Sequence, residues 1–297
     1  MSLVERTLKK MQESQAAQRG EAAKAAPAAG AVPPRAAQAS PDRPPMPIET
    51  TRVVSIDRAR LREMDLLPPP EMARRIASQY RQIKRPLVES VLNGNLGPAS
   101  HVIMLASALP GEGKTFTSIN LALSLALEKD IEVLLVDADV PKPHVSRIFG
   151  VEQERGLMDL LHHRELHPNQ VILRTDVPGL TLLPAGHHAS ETATESLASE
   201  RMAEVIQQLA VPNGRRIVLL DSPPLMLSTE SRVLAAAAGQ VVLVVRAEFT
   251  SRQAVTHALE VIPEGKMVSL ILNQSSAAPT ESYYGSYGDS PEPSRST

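Results

Sequence analysis

Residues 108–115 have the sequence Ala-Leu-Pro-Gly-Glu-Gly-Lys-Thr, which is the phosphate-loop (Walker A) pattern with alanine in its leading position. An apolar run of strand length precedes it at residues 101–106, and residues 119–127 show the apolar periodicity of a helix. Small residues let backbone N–H groups approach phosphate oxygens, and the following helix points its positive end towards them. We expect Lys114 to contact the β- and γ-phosphates of a nucleotide and Thr115 to place its hydroxyl on Mg²⁺.

Strand-length apolar runs alternate with helical patterns along the following chain. Only 2% of the residues are aromatic and none is Trp, so the core must be aliphatic, as in a buried parallel sheet. Strands followed by helices predict right-handed βαβ units. The expected fold class is α/β, a P-loop nucleotide-binding fold with a mostly parallel sheet and helices on both faces. The further predicted strands are residues 133–136, 180–183, 217–220, 241–245 and 268–272.

Three carboxylates follow two of these predicted strands. Asp137 and Asp139 come after residues 133–136, and Asp221 comes after residues 217–220, at the start of Asp-Ser-Pro-Pro. Ligands of open α/β sheets bind outside the C-terminal ends of the strands, so the three acids should converge on the phosphate site. Asp137 and Asp139 are two positions apart, which predicts that both face the same side of the strand. These residues predict a Mg²⁺-dependent ATPase or kinase core and do not choose between the two.

Composition divides the 297 residues into four segments. Residues 1–50 contain a short amphipathic helix at 1–12 and an Ala/Pro-rich linker that we expect to be disordered. Residues 51–97 are predicted to be a helical lead-in, with one helix ending at Pro86 and another starting there. Residues 98–274 form the nucleotide-binding domain, and residues 275–297 form a polar, flexible tail.

The overall composition excludes several functional classes. The chain has no Cys, which excludes disulfides, thiolate metal sites and a cysteine nucleophile. Its formal net charge of -2 provides no global basic field, so we expect no nucleic-acid partner. No stretch approaches the ~20 apolar residues of a membrane span and the N-terminus has no apolar signal core, which predicts a soluble protein of a reducing compartment. His162, His163, His167 and Glu165 lack zinc-site spacing, and residues 157–166 are predicted to be an amphipathic surface helix.

Three of the four tyrosines, Tyr283, Tyr284 and Tyr287, fall within five residues of the polar tail, far from Tyr80. Aromatic side chains that are not buried rarely cluster without a partner. One interpretation is that the three phenols accept phosphate, which would add several negative charges at one place. The alternative is an adhesive tail without a function.

These features together resemble the bacterial tyrosine kinases of capsule and exopolysaccharide export (BY-kinases), most closely the exosortase-associated tyrosine autokinases. The family's Ser-x-x-Pro-Gly-Glu-Gly-Lys-Thr loop matches residues 107–115, its Asp-x-Asp motif matches residues 137–139, and its Asp-Ser-Pro-Pro motif matches residues 221–224. A C-terminal tyrosine cluster is also present both in the family and in this chain. Related partition and septum-site ATPases carry a signature Lys early in the loop, where this chain has Leu109 and Pro110.

The resemblance implies an ATP- and Mg²⁺-dependent protein-tyrosine autokinase that phosphorylates its own tail tyrosines, mainly in trans, and regulates exopolysaccharide polymerisation and export. Lys114 is then catalytic, Thr115 ligates the ion, and Asp139 and Asp221 hold it through waters. Asp137 is the first choice to accept the tyrosine proton, with Asp139 as the alternative. The residues implied in ATP binding are Pro110, Gly111, Glu112, Gly113, Lys114, Thr115, Phe116 and Asn273.

The resemblance also implies partners: a membrane-embedded polysaccharide co-polymerase as activator, further copies in a ring-like oligomer, and a cognate tyrosine phosphatase. The location implied is cytoplasmic, at the inner membrane through the activator. Two motifs depart from the family pattern. Ser78-x-x-Arg81-x-x-Lys84 replaces the Glu-x-x-Arg-x-x-Arg of the ring contact, and Lys142 stands in for an Arg after the Asp-x-Asp motif. The other hypotheses are a positioning or scaffold ATPase, and a nucleotide-binding regulator without phosphotransfer.

Overall fold

The structure is a computed structural model that describes residues 52–92, 98–187, 193–210 and 216–275. The predicted helix at residues 1–12, the linker and the tail tyrosines lie outside these residues. Within the described part, eight strands form one sheet in the order β1-β4-β5-β3-β6-β2-β7-β8. The strands are β1 (Val53–Val54), β2 (Val102–Ser107), β3 (Glu132–Asp137), β4 (Leu173–Thr175), β5 (Leu180–Leu183), β6 (Arg216–Asp221), β7 (Gln240–Arg246) and β8 (Met267–Asn273).

Helices cover both faces of this sheet, as the sequence predicts. All neighbouring strands are parallel except β4 and β5, which are antiparallel. Each face carries its own aliphatic core cluster. Ser199, Ser228 and Ser251 each start a helix by accepting the N–H three residues on. The helices are α1 (Arg58–Glu63), α2 (Pro70–Leu92), α3 (Lys114–Leu125), α4 (His144–Ile148), α5 (Leu157–His162), α6 (Ala193–Leu197), α7 (Glu200–Leu209), α8 (Thr229–Ala237) and α9 (Arg252–Val261), with 3₁₀ turns at Pro98–His101 and Pro168–Gln170.

The register of the central strands brings the predicted acids together. β3 pairs with β6 so that Asp137 lies opposite Asp221, and Asp221 lies opposite Leu105 of β2. The phosphate loop leaves β2 two residues later, at Ser107. Parallel pairing therefore puts the loop and the acids at one edge of the sheet.

The lead-in segment differs from its prediction in two ways. It contains a strand, β1, which pairs with β4. This strand has only two residues, too few to give a recognisable pattern in the sequence. Pro86 lies inside α2 instead of starting a new helix. Proline removes one helical hydrogen bond, but buried residues on both sides of Pro86, among them Tyr80 and Leu87, hold the helix against the sheet.

Two further expectations are corrected. Residues 157–166 do not form a surface helix: α5 ends at His162, and its first five residues are all buried. The sheet is not fully covered at β8, where Leu270 is 40% and Leu272 is 61% exposed. As the edge strand, β8 has neighbours on one side only. Among the described residues, no helix has the length and apolar character that crossing a membrane requires.

Lys84 joins α2 to α3. Its ammonium donates to the Ser124 carbonyl in the last turn of α3 at 2.7 Å and lies 2.6 Å from the carboxylate of Glu128. The last carbonyls of a helix lack partners within the helix and carry partial negative charge, so a cation there is favourable. Because Lys84 is 7% exposed, this third position of the expected ring motif is engaged within its own chain.

Lys84→Met should lower the free energy of unfolding by about 1–2 kcal/mol, because the buried stem remains while the charged hydrogen bond is lost. Arg81→Met is the matched control, since Arg81 is exposed on the same helix, and it should change stability by less than about 0.5 kcal/mol. Urea unfolding of the two variants measures the difference. Equal midpoints would show that the Lys84 bridge contributes nothing.

Candidate active site

The phosphate loop requires glycine at two positions. Gly111 and Gly113 have φ angles of 77° and 88°, in the left-handed region that other residues rarely adopt. A Cβ atom on Gly113 would lie 1.9 Å from Nδ2 of Asn273, whereas one on Gly111 would meet nothing within 4 Å. Gly113 is also the last residue before α3, so it places the N-terminus of that helix beside the loop.

Glu112 shapes the loop from inside the protein. Its side chain is buried, and Oε2 accepts the N–H of Leu109 at 2.6 Å while Oε1 accepts the hydroxyl of Thr250. Its backbone carbonyl accepts Nδ2 of Asn273 at 2.9 Å. The carboxylate therefore stabilises the loop, which leaves the backbone for ligand contact. Thr250, which no sequence motif marks, is tied to the loop through this contact.

Asp221 is the buried centre of the site. Its carboxylate accepts the hydroxyls of Thr115 at 2.9 Å and Ser118 at 2.8 Å, and Lys114 Nζ lies 3.7 Å away. Sequence reasoning missed Ser118, although its position four residues after Lys114 places it on the same helical face. Asp221, at the end of β6, thus contacts both Lys114 and Thr115, as expected if the strand ends converge on the phosphate loop.

Asp137 and Asp139 occupy different environments because β3 ends at Asp137 and strand alternation ends with it. Asp137 is fully buried, and its Oδ2 accepts both the N–H and the hydroxyl of Ser146 at 2.7 Å. Burial raises the pKa of Asp137 to about 7; the Ser146 bonds oppose this shift, and the nearby charge of Asp221 adds to it. Asp139 is partly exposed; burial raises its pKa, while Lys114 opposes the shift.

A cavity of about 680 Å³ lies above these groups. Of the predicted site residues, it is lined by Pro110, Gly111, Glu112, Gly113, Lys114, Thr115, Phe116, Asp139 and Asn273. Asp137 and Asp221 have no exposed area and lie beneath its floor. Lining residues that sequence reasoning missed come from distant segments: Asp65 and Leu66 after α1, Arg147 on α4, and Glu230 on α8.

The histidine-rich stretch has local structural contacts. His162 lies 2.8 Å from the Met158 carbonyl, His163 lies 3.3 Å from Glu165, and His167 accepts the N–H of Asn169 at 3.2 Å. In the ranges that the structure describes, no three His, Cys, Asp or Glu residues are grouped as a metal cage.

Comparisons with known proteins agree with this site. A family model described as an AAA domain matches residues 100–274. YwqD of Bacillus subtilis, a tyrosine-protein kinase, is 30% identical over 188 residues, which cover 63% of this chain and 77% of YwqD. The kinase domain of VpsO superposes with a TM-score of 0.55 at 29% identity, covering 69% of this chain and 98% of that domain.

The chain belongs to the bacterial tyrosine-protein kinase family. It has the P-loop nucleoside-triphosphatase fold with the family's three motifs around one cavity. EpsB of Ralstonia nicotianae is 37% identical over 152 residues, or 50% of this chain, and the match spans 19% of EpsB. The chain thus spans about a fifth of that relative's length and most of YwqD and of the VpsO domain.

The two loop glycines give a matched test of this kinase-family loop. Gly111→Ala should cost about 1–2 kcal/mol, the strain of a left-handed alanine. Gly113→Ala should cost more and weaken ATP binding, since its Cβ must displace Asn273. Urea unfolding and ATP titration measure both effects. Adding Asn273→Ala to Gly113→Ala should recover part of the stability, and equal losses for the two glycine variants would contradict the predicted clash.

Proposed function

We propose that this chain is an ATP- and Mg²⁺-dependent protein-tyrosine kinase that phosphorylates Tyr283, Tyr284 and Tyr287 of its own C-terminal tail. The observation that carries the proposal is the contact of Lys114 and Thr115 with Asp221 beneath a cavity whose rim includes Gln274. Tail residues begin at that rim. Tyr80, the remaining tyrosine, is buried in the core and is not accessible to an active site.

ATP fits the cavity in size and chemistry. About 680 Å³ lies within the usual range of small-molecule sites. The left-handed glycines expose loop N–H groups, and α3 starts at Lys114 with its positive end towards the loop. In the proposed complex these N–H groups and Lys114 bind phosphate oxygens, and Asn273 lies beside the loop for contact with the base.

Thr115 fits Mg²⁺ as a direct oxygen ligand, and Asp139 and Asp221 would hold the ion through bound water molecules. This ion prefers hard oxygen ligands and commonly takes one or two from protein, with phosphates and water supplying the rest. When bound, Mg²⁺ neutralises charge on the β- and γ-phosphate oxygens. Asp221 already orients the Thr115 hydroxyl at 2.9 Å, and Asp139 lines the same cavity as Thr115.

Lys114 and the two acids of the Asp-x-Asp motif have separate proposed roles. Lys114 neutralises the negative charge that develops during transfer of the phosphoryl group. Of the two acids, Asp139 lines the cavity, whereas Asp137 is buried beneath it and bound to Ser146. We assign acceptance of the phenol proton to Asp139 and positioning of α4 to Asp137, which reverses the order of preference that the family resemblance implied.

Lys114→Met should reduce tail phosphorylation at least ~100-fold, because a charge aimed at the transferring group is lost while the stem is kept. Lys129→Met, at an exposed lysine on the loop after α3, is the control and should retain the wild-type rate. Purified protein is incubated with Mg²⁺ and ATP, and phosphotyrosine is mapped by mass spectrometry. Phosphorylation by Lys114→Met at the wild-type rate, or wild-type activity that survives EDTA, would overturn the proposal. ATP hydrolysis without phosphotyrosine would instead indicate a positioning ATPase.

We further propose that transfer occurs mainly between copies of the chain. Tyr283 follows Gln274 by nine residues, which span at most ~30 Å when extended. Because Gln274 itself lines the cavity, an extended tail would carry Tyr283 past its own Lys114, and only a tail that folds back would return the phenol to it. A neighbour's tail enters without this constraint, and tethering in an oligomer raises its effective concentration to roughly millimolar.

Mixing two variants tests whether transfer occurs between copies of the chain. One chain carries Lys114→Met with its tail intact, and the other is active with its three tail tyrosines changed to Phe. Phosphate should appear on the Lys114→Met chain, at a rate that rises with the concentration of the active chain. If that chain stays unlabelled while wild type labels itself, transfer is within one chain.

The family resemblance supports a wider proposal. It assigns the chain to regulation of exopolysaccharide polymerisation and export, with a membrane-embedded co-polymerase as activator at the inner membrane and a cognate phosphatase. Ring-like self-association is part of the same proposal. Since Lys84 binds Ser124 and Glu128 of its own chain, the ring contact from α2 would fall to residues such as the exposed Arg81.

A further inference from the structure

Three basic residues, Lys142, His144 and Arg147, line the cavity next to Asp139. We call them the basic wall. They occur within six residues of the chain, on the turn after β3 and on α4. The proposed ATP contacts use the phosphate loop and Lys114, and leave the basic wall without an assigned role.

The basic wall is held rigidly relative to the acids. Lys142 N–H donates to the Asp139 carbonyl at 3.0 Å and to its carboxylate at 3.2 Å, which fixes the turn. Ser146 on α4 is bound to the buried carboxylate of Asp137 through two 2.7 Å hydrogen bonds. His144 and Arg147 lie three positions apart on α4, so they share a face of that helix.

The positive charges of Lys142 and Arg147 are only weakly compensated. Within the described ranges, Lys142 has no ion-pair partner. Arg147 has one contact, 3.6 Å to Glu152, and the two side chains are 61% and 43% exposed. An exposed pair of that kind contributes little and exchanges easily. The wall can therefore bind an incoming anionic group at little cost.

The tyrosine segment has the complementary charge. Glu281 stands two residues before Tyr283, and Asp289 stands two residues after Tyr287. From residue 275 to residue 294 there are three acidic residues and no Lys or Arg. Each end of the acceptor segment thus carries a carboxylate two positions from its nearest tyrosine in the sequence.

We propose that the basic wall binds the carboxylates flanking the acceptor tyrosines, Glu281 and Asp289, in the tail of a second copy, and so selects acidic tyrosine peptides as substrates. This inference rests on the proposed kinase function. A tail carboxylate bound to the basic wall would hold the nearby acceptor tyrosine beside Asp139, because the turn at Lys142 fixes the wall next to Asp139. Lys142 and Arg147 then determine specificity and take no part in the transfer.

The test uses the 297-residue chain with a tail that cannot compete: Tyr283, Tyr284 and Tyr287 are changed to Phe, Glu281 to Gln and Asp289 to Asn. Two peptides of residues 278–292 serve as acceptors: the native sequence, and one carrying Glu281→Gln and Asp289→Asn. The parent protein should phosphorylate the native peptide with kcat/KM roughly tenfold above that of the peptide lacking the Glu281 and Asp289 carboxylates. The preference should lie mainly in KM and shrink in 0.5 M salt.

Lys142→Ala with Arg147→Ala should bring the ratio of the two kcat/KM values close to one. The matched control, Lys129→Ala with Arg174→Ala, removes the same charge from exposed positions that do not line this cavity and should keep the tenfold ratio. Binding of fluorescently labelled native peptide, followed by anisotropy, should weaken in the first variant and not in the control.

The failures are distinguishable. If the parent phosphorylates both peptides equally well, the basic wall does not select acidic substrates, while the kinase function stands. If the double variant raises the KM for ATP and keeps the tenfold ratio, the wall serves the nucleotide and this inference is wrong. If the parent phosphorylates neither peptide under conditions where it hydrolyses ATP, the proposed kinase function fails and the inference fails with it.

Discussion

The site depends on one buried carboxylate, that of Asp221. A buried charge is costly unless it is paired and hydrogen-bonded, and Asp221, with no exposed area, receives two hydroxyl donors and lies 3.7 Å from the ammonium of Lys114. Its partners are on the first two turns of α3, so satisfying Asp221 fixes this helix relative to β6. Removing one member of such a pair typically costs 3–5 kcal/mol. The contact that orients Lys114 and Thr115 is therefore also one that stabilises the domain.

The same edge of the sheet shows how neighbouring acids acquire different roles. Asp137 pairs in register with Asp221; burial raises the pKa of Asp137, and the neighbouring charge of Asp221 adds to the shift. Ser146 donates twice to its carboxylate and thereby anchors α4. Asp139 lies beyond the strand, where the chain turns into the cavity; burial raises its pKa, and Lys114 opposes that shift. Asp137 therefore has a structural role, whereas Asp139, two residues later, is accessible from the cavity.

The sequence predicted what depends on local pattern. Apolar runs located six of the eight described strands, and the loop motif placed Lys114 and Thr115 correctly at a helix start. It could not show that Pro86 would continue a helix, because the packing of Tyr80 and Leu87 on other elements decides this. It could not show that β8 is an edge strand, because strand order is a property of the whole sheet. Glu112 was expected to contact ATP and does line the cavity, but the local motif could not show that its carboxylate turns inward to Thr250, which is 138 positions away.

The contacts of Glu112 and Asn273 also connect the phosphate loop to the end of the sheet. Asn273 donates to the Glu112 carbonyl at 2.9 Å, and its own carbonyl accepts the N–H of Ala247, so the loop, β8 and the turn after β7 form one hydrogen-bonded unit. Gln274 follows directly and lines the cavity. The point from which the tail departs is therefore fixed relative to Lys114. A ligand that moved the phosphate loop would therefore strain the hydrogen bond between Asn273 and the Glu112 carbonyl.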